Sequence, residues 1–315
     1  MGLYPKALEP VLTGIPWGPN SQAYIVDPQN GNDGNSGKTW SRSLLTLEAA
    51  YAKCVANQND TVVLVGGPTA LNPAIPIVWD KSYTHLVGLS APLSMGQRCR
   101  VVGTGDLDLS VLFTLSGSGC IVKNVQFFDG KNSAANGACV LVSGSRNYFE
   151  NVFVAGMGDG TASGPSTRAG SYSLEVTGAE NLFRDCTVGL DTIPRTAASS
   201  EAIISGVRNR FLHCEFRTQG LAAAGNFLVT IDASTSSKGQ DTQFEDCLFF
   251  NFTPNWAAGT ANAFTVLGSE SYWVILRGRN QLIGAGLGWA DTVTHLYSVD
   301  AQPNVGFGVS VNPTT

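Results

Sequence analysis

The chain has 315 residues, of which only 14% are charged and 36 are glycine, and its formal net charge is -5. Few charges and many glycines suit tightly turning, strand-rich structure and exclude a coiled coil. No basic field or Lys/Arg cluster is present to attract nucleic acid or an anionic bilayer. No apolar run approaches the roughly 20 residues that span a membrane, and the N-terminus lacks the layout of a signal peptide, so a soluble chain made in a cytoplasm is expected.

Residues 1–19, rich in Pro and apolar side chains with Tyr4 and Trp17, have no periodicity and read as an extended arm. Residues 20–97 read as an N-terminal cap with the first coils of a repeat. They contain a strand at Ala23–Val26, an Asn/Gly-rich loop, a helix over about 43–55, and a strand at Thr61–Val65. Leu44, Leu47, Tyr51 and Cys54 or Val55 recur at helical steps, and Ser43 is placed as the N-cap. The loop residues Asp27, Asn30, Asn32 and Asp33 carry enough oxygens to be calcium candidates. Their spacing does not fit an EF-hand, and a cluster of Asx turns is the favoured reading.

From residue 98 to 302 a repeat emerges. Val122–Phe127, Phe149–Val154, Phe183–Val188, Phe211–Phe216 and Phe244–Phe249 share the pattern apolar, any, polar, Val or Cys, any, apolar, with a weaker sixth copy from Val274. Leu115-Ser-Gly, Val142-Ser-Gly, Val176-Thr-Gly and Ile204-Ser-Gly stand at one constant offset upstream of the first four. The offset breaks before Phe244, where Ala233–Gln240 inserts polar residues suited to a loop. Coils stacked about 4.8 Å apart put the phenylalanines in one column and Cys186, Cys214 and Cys247 in another. The expected fold is therefore all-β, a parallel β-helix with a short capping helix; leucine-rich repeats lack support because their L-x-x-L-x-L frame is missing. Residues 303–315 are left as a C-terminal tail.

All seven cysteines are read as reduced thiols, because no C-x-x-C pair occurs, and neither cofactor nor metal is expected. The polar corner of the repeat forms a column of Asn124, Asn151, Asp185, His213 and Asp246. If the chain is an enzyme, Asp185, His213 and Asp246 are its candidate catalytic groups, a histidine between two carboxylates roughly 10 Å apart. The favoured alternative is a turn ladder bonded to backbone and to itself. Trp256, Trp273 and Trp289, with Tyr4 and Trp17 of the arm, are candidate interface residues. The aromatics of the C-terminal coils can equally form a sugar platform or close the end of the solenoid.

The stretch Tyr24-Ile-Val-Asp-Pro-Gln-Asn-Gly-Asn-Asp-Gly, with the following helix and strand, and the F-x-[ND]-C-x-[FV] coil motif resemble the pectin-lyase-like β-helix superfamily. The resemblance covers residues 23 to about 276 and implies a right-handed solenoid. The superfamily includes pectate lyases, polygalacturonases, methylesterases, tailspike depolymerases and catalytically silent phage virion proteins. Polygalacturonase motifs are absent, and Ile193-Pro194-Arg195 is the nearest approach to the lyase arginine motif. Gln240-Asp241-Thr242 matches the methylesterase Q-D-T without its partner motifs.

These features lead to a first expectation of a structural bacteriophage virion protein. It would decorate or cement a capsid, as a homotrimer or docked through its arm on a viral shell or tail protein. The alternatives are a tailspike-like or secreted polysaccharide depolymerase, and a non-catalytic glycan-binding module.

Overall fold

The structure is a computed structural model. It describes residues 18–103, 110–130, 137–157, 169–195, 199–220, 226–235, 237–252, 263–268, 274–284, 289, 296–298 and 309–310. Three sheets wind into a right-handed parallel β-helix. Sheet A runs through Ala23–Val26, Asp60–Val65, Thr84–Leu89, Ile121–Lys123, Tyr148–Glu150, Leu182–Arg184, Arg210–Leu212, Thr242–Glu245, Val274–Arg277 and Leu296–Ser298. Sheet B stacks seven strands from Arg100–Gly103 to Gln281–Ile283, and sheet C seven from Ile77–Trp79 to Phe264–Leu267. The C-terminal tail adds Val309–Ser310 antiparallel to Leu296–Ser298, where it covers the last edge of sheet A.

The core follows the repeat. Phe149, Phe183, Phe211 and Phe244 pair in register in sheet A, with ring centroids 4.5, 4.7 and 5.0 Å apart and nearly parallel planes. Phe216 and Phe249 stack likewise at 5.1 Å in sheet B. Strict superposition is possible because parallel pairing puts identical positions of successive coils one strand spacing apart, which is close to a ring-stacking distance. Cys186, Cys214 and Cys247 lie in the adjoining column, and all seven cysteines are buried free thiols. Burial pushes the Cys214 thiol far up, which leaves it an apolar filler.

The Ser/Thr-Gly signature has a steric cause. A Cβ on Gly144 would lie 1.9 Å from the carbonyl oxygen of Gly117, one on Gly178 1.9 Å from that of Gly144, and one on Gly206 1.8 Å from that of Gly178. The coils approach there so closely that only glycine fits. Three residues further on, Asn147, Asn181 and Asn209 form a buried ladder. Asn147 and Asn181 accept the backbone N–H of Cys120 and Asn147, and Asn209 that of Asn181. Their amides donate to the carbonyls of Gly117, Gly144 and Gly178 at 3.0–3.1 Å.

Two expectations need correction. The helix is Leu47–Lys53, capped by Thr46, whose hydroxyl accepts from Ala49 N, and not a longer helix capped by Ser43. Leu44 is instead fixed in extended backbone by bonds with Ile25 O and Asp27 N, so the chain cannot turn helical until Thr46. The helix buries Leu47, Ala50 and Tyr51, and Lys81 closes its C-terminus by donating to the carbonyls of Tyr51, Ala52 and Cys54. In the sixth coil, Leu276 and not Val274 takes the phenylalanine place, and Val266 continues the Val176–Ile204–Ile231 column. A two-residue slip along Val274–Arg277 keeps the inward face apolar, so the sequence pattern alone does not reveal it.

Candidate functional site

The polar column of the repeat sits where each coil passes from sheet A to sheet B. Asn124, Asn151, Asp185, His213 and Asp246 all adopt φ between 51 and 55°, the left-handed conformation that Asn, Asp and His tolerate best. Each backbone N–H donates to a carbonyl of the next coil at 2.8–3.2 Å. Asn151 Nδ2 donates to Asn124 Oδ1 at 2.8 Å. His213 has Nδ1 3.4 Å from Asp185 Oδ1 and Nε2 3.6 Å from Asp246 Oδ2, and the three side chains are 47, 47 and 40% exposed. The expected acid–imidazole–acid row is therefore assembled, in the geometry of a solvated turn ladder.

The opposite border of sheet A is a second row of left-handed corners at Tyr83, Arg146, Glu180, Arg208 and Asp241. Glu180 binds Arg146 and Arg208 at 2.6 and 2.7 Å, and the two guanidinium groups hold its carboxyl below the usual range. Gln240-Asp241-Thr242, the methylesterase-like triplet, falls in this turn, where Asp241 accepts from Gln243 Nε2.

Between the two rows lies the outer face of sheet A. One outward column runs Tyr148, Leu182, Arg210, Gln243, Ile275, and a second runs Lys123, Glu150, Arg184, Leu212, Glu245, Arg277. Lys123 bridges Glu150 at 2.7 Å. Burial, then the hydrogen bond and charge of Glu150, push the Tyr148 phenol up to about 12. Leu182, Arg210, Phe211, Leu212, Gln243 and Glu245 line a shallow recess of about 110 Å³. The sequence motif treats Glu150, Arg184, Leu212 and Glu245 as "any" and begins one residue after Tyr148, Leu182, Arg210 and Gln243, so neither column shows in it; the residues flanking each Phe, read as columns, reveal both.

Two further clusters were also missed. On sheet C, burial and the nearby Asp232 raise the Glu175 carboxyl. Burial alone would raise Asp232 too, but Lys238 at 2.9 Å and hydrogen bonds from Ser234 lower it. Arg195, noted for its likeness to a lyase arginine, is instead buried inside the solenoid. It forks onto Glu201 at 2.5 and 2.9 Å and donates to Ser171 O and Ser173 Oγ, with 4 and 0% of the two charged side chains exposed.

The calcium candidates bond to their own loop. Asp33 accepts from Leu45 N, Thr46 N and the Thr46 hydroxyl at 2.8–3.0 Å. Asp27 accepts from Gln29 N, Asn30 N and Asn30 Nδ2, and Asn32 from Gly34 N. Among the described residues no group of three or more metal-ligating side chains converges. Trp289 packs on Phe249 and Phe264 at 5.7 and 6.5 Å at the end of the core. Tyr4, Trp17, Trp256 and Trp273 lie outside the described residues. No described helix is long and apolar enough to cross a membrane.

Three parallel sheets stacked coil on coil, with left-handed corners between sheets A and B, define a right-handed parallel β-helix. Solved structures agree on that fold. A pectin methylesterase variant in complex with a hexasaccharide matches with TM-score 0.56 and 12% identity over 87% of each chain. Pectin methylesterases from Aspergillus niger (0.55, 11%, 93% of each chain) and carrot (0.50, 11%, 90 and 88%) are similar. At such identity the likeness is one of fold. No protein-family model matches the sequence, and no curated protein does.

Proposed function

We propose that this chain is a structural component of a bacteriophage particle, a β-helix that decorates or cements the capsid. It would assemble as a homotrimer and dock on a shell or tail protein through its N-terminal arm. The observation that carries the reading is the use made of the repeat's polar residues. The backbone N–H groups of the Asp185, His213 and Asp246 corners, the Arg146–Glu180–Arg208 row and the buried asparagines all tie one coil to the next. Such a stack resists bending and unwinding, a property suited to a particle accessory. Quantitative peptide mass spectrometry of purified particles from the source lysate is the test. A copy number near that of the main shell protein is expected; a few copies would move the protein to the tail, and absence from particles would refute the proposal.

One observation favours a second reading, a polysaccharide depolymerase. Glu175 and Asp232 are carboxyls whose proton affinities are moved in opposite directions on one sheet, as an acid and its partner base require. The fold shared with pectin-processing proteins is compatible with it. Reducing-end release from pectin or capsular polysaccharide, abolished by Glu175→Gln, would establish this reading; equal activity in the variant would remove it.

A further inference from the structure

We propose that the C-terminal end of sheet B's outer face, around Leu248, Phe250, Phe252 and Ile283, is the surface on which this chain meets a second copy of itself. The particle reading gives the arm to the shell and names no face for self-association; the threefold order used below rests on that reading. The patch is contiguous by register. Phe249 points into the core, so Leu248 and Phe250 on either side of it point outward, and Phe250 pairs with Ile283 of the next coil. The Phe250 and Phe252 rings lie 6.3 Å apart, and Phe252 and Ile283 are 49 and 42% exposed.

Lower on the same face an apolar cover is already built. Thr187 donates its hydroxyl to Ser94 O at 2.9 Å, which brings the loop of residues 90–98 onto the sheet, and Thr187 and its register partner Phe153 are buried there. Phe252 and Ile283 have no comparable cover among the described residues, and aromatic and branched side chains held together in water favour one.

Charge makes that cover a second copy. Arg217 lies over the Phe250 ring at 5.7 Å and bonds Asp191 and Glu215 at 3.0 and 2.8 Å, so both signs border the patch at one level. A partner of one sign would meet its like there. A copy brought level by a threefold axis parallel to the solenoid sets apolar patch against apolar patch, with both signs on each side of the contact. Place agrees with this. The arm joins at Gly18, which bonds Ser21, and Ser21 bonds Gln58 O. The first strand of sheet A lies seven coil steps, about 34 Å, below Thr242–Glu245, so a chain docked by its arm keeps the patch at its far end. Area sets the strength: four partly exposed side chains offer roughly 250 Å², against about 800 Å² per partner in a stable interface. Such a contact is weak between free chains and fits copies that a shell already holds close.

The test is sedimentation velocity of the full chain from about 1 to about 500 μM. The mass should rise with concentration towards three copies. Phe252→Ser and Ile283→Ser remove apolar surface without opening the core, and each should raise the dissociation constant at least about tenfold. Tyr4→Ala combined with Trp17→Ala should leave association unchanged. Urea midpoints verify that the variants fold. A monomer at every concentration, wild-type association in folded Phe252→Ser and Ile283→Ser, or loss of association in the arm variant would overturn the proposal. The particle reading fails separately: a chain that is monomeric in solution and abundant in particles overturns this surface and leaves that reading in place.

Discussion

His85 makes the solenoid acid-sensitive in a defined window. The imidazole is fully buried in sheet A; its Nδ1 accepts the Ile121 N–H at 3.1 Å, so Nε2 carries the proton and donates to Asn59 Oδ1 at 3.2 Å. A second proton would have to go on Nδ1, where it would break the Ile121 bond and face an N–H. Burial pushes the pKa down to about 4 from the ordinary 6.5. The unfolded chain therefore binds this proton first. The stability that neutral His85 contributes is fully present above pH 6.5 and lost as pH falls through 6.5 towards 4. The gap of about 2.5 units corresponds to about 3 kcal/mol. Urea unfolding of wild type and His85→Gln between pH 7.5 and 4 checks this, since other groups titrate alike in both. Wild type should lose about 3 kcal/mol more than the variant. Parallel stability curves, or an NMR titration of the His85 ring with a midpoint near 6.5, would refute the reasoning.

Three further outcomes follow from the packing. Phe183→Ala removes the ring stacked at 4.5 and 4.7 Å between Phe149 and Phe211, and should cost about 3–5 kcal/mol in urea unfolding. Gly178→Ala places a methyl 1.9 Å from the Gly144 carbonyl, so hydrogen exchange should show the amides of Thr177 and Gly178 losing protection from that coil outward. Arg195→Met strands the Glu201 carboxylate in the interior and should cost about 3–5 kcal/mol, while the double variant Arg195→Met, Glu201→Leu should recover most of it; equal losses in both would show that packing, not charge, sets the effect.

The inward half of the fold was legible because stacking forces repetition. A phenylalanine at 149, 183, 211 and 244 faces another phenylalanine, so the column announces itself in a single sequence. Glycines 144, 178 and 206 announced themselves for the same reason, each excluded from any other identity by the carbonyl beneath it. The corner residues were found, and their left-handed backbone explains why Asn and Asp dominate there. The helix start was misplaced because Leu44 satisfies a helical period as well as a strand bridge with Val26, and only the tertiary pairing decides between them. Glu201 gave no signal and Arg195 only a motif likeness that pointed elsewhere, because nothing in the sequence says that two charged residues six apart turn inward together.

The outward half obeys a different rule. Against the constant inner column, the neighbouring outer column reads Tyr148, Leu182, Arg210, Gln243, Ile275, a new chemistry at every coil. No stacking constraint acts on these side chains, because each is free to find its partner in solvent or along the column. The residues that make a β-helix are thus nearly silent about its function, and the residues that carry function are nearly free of the fold. That separation is why a likeness of 12% identity can span 87% of two chains and still transfer no site.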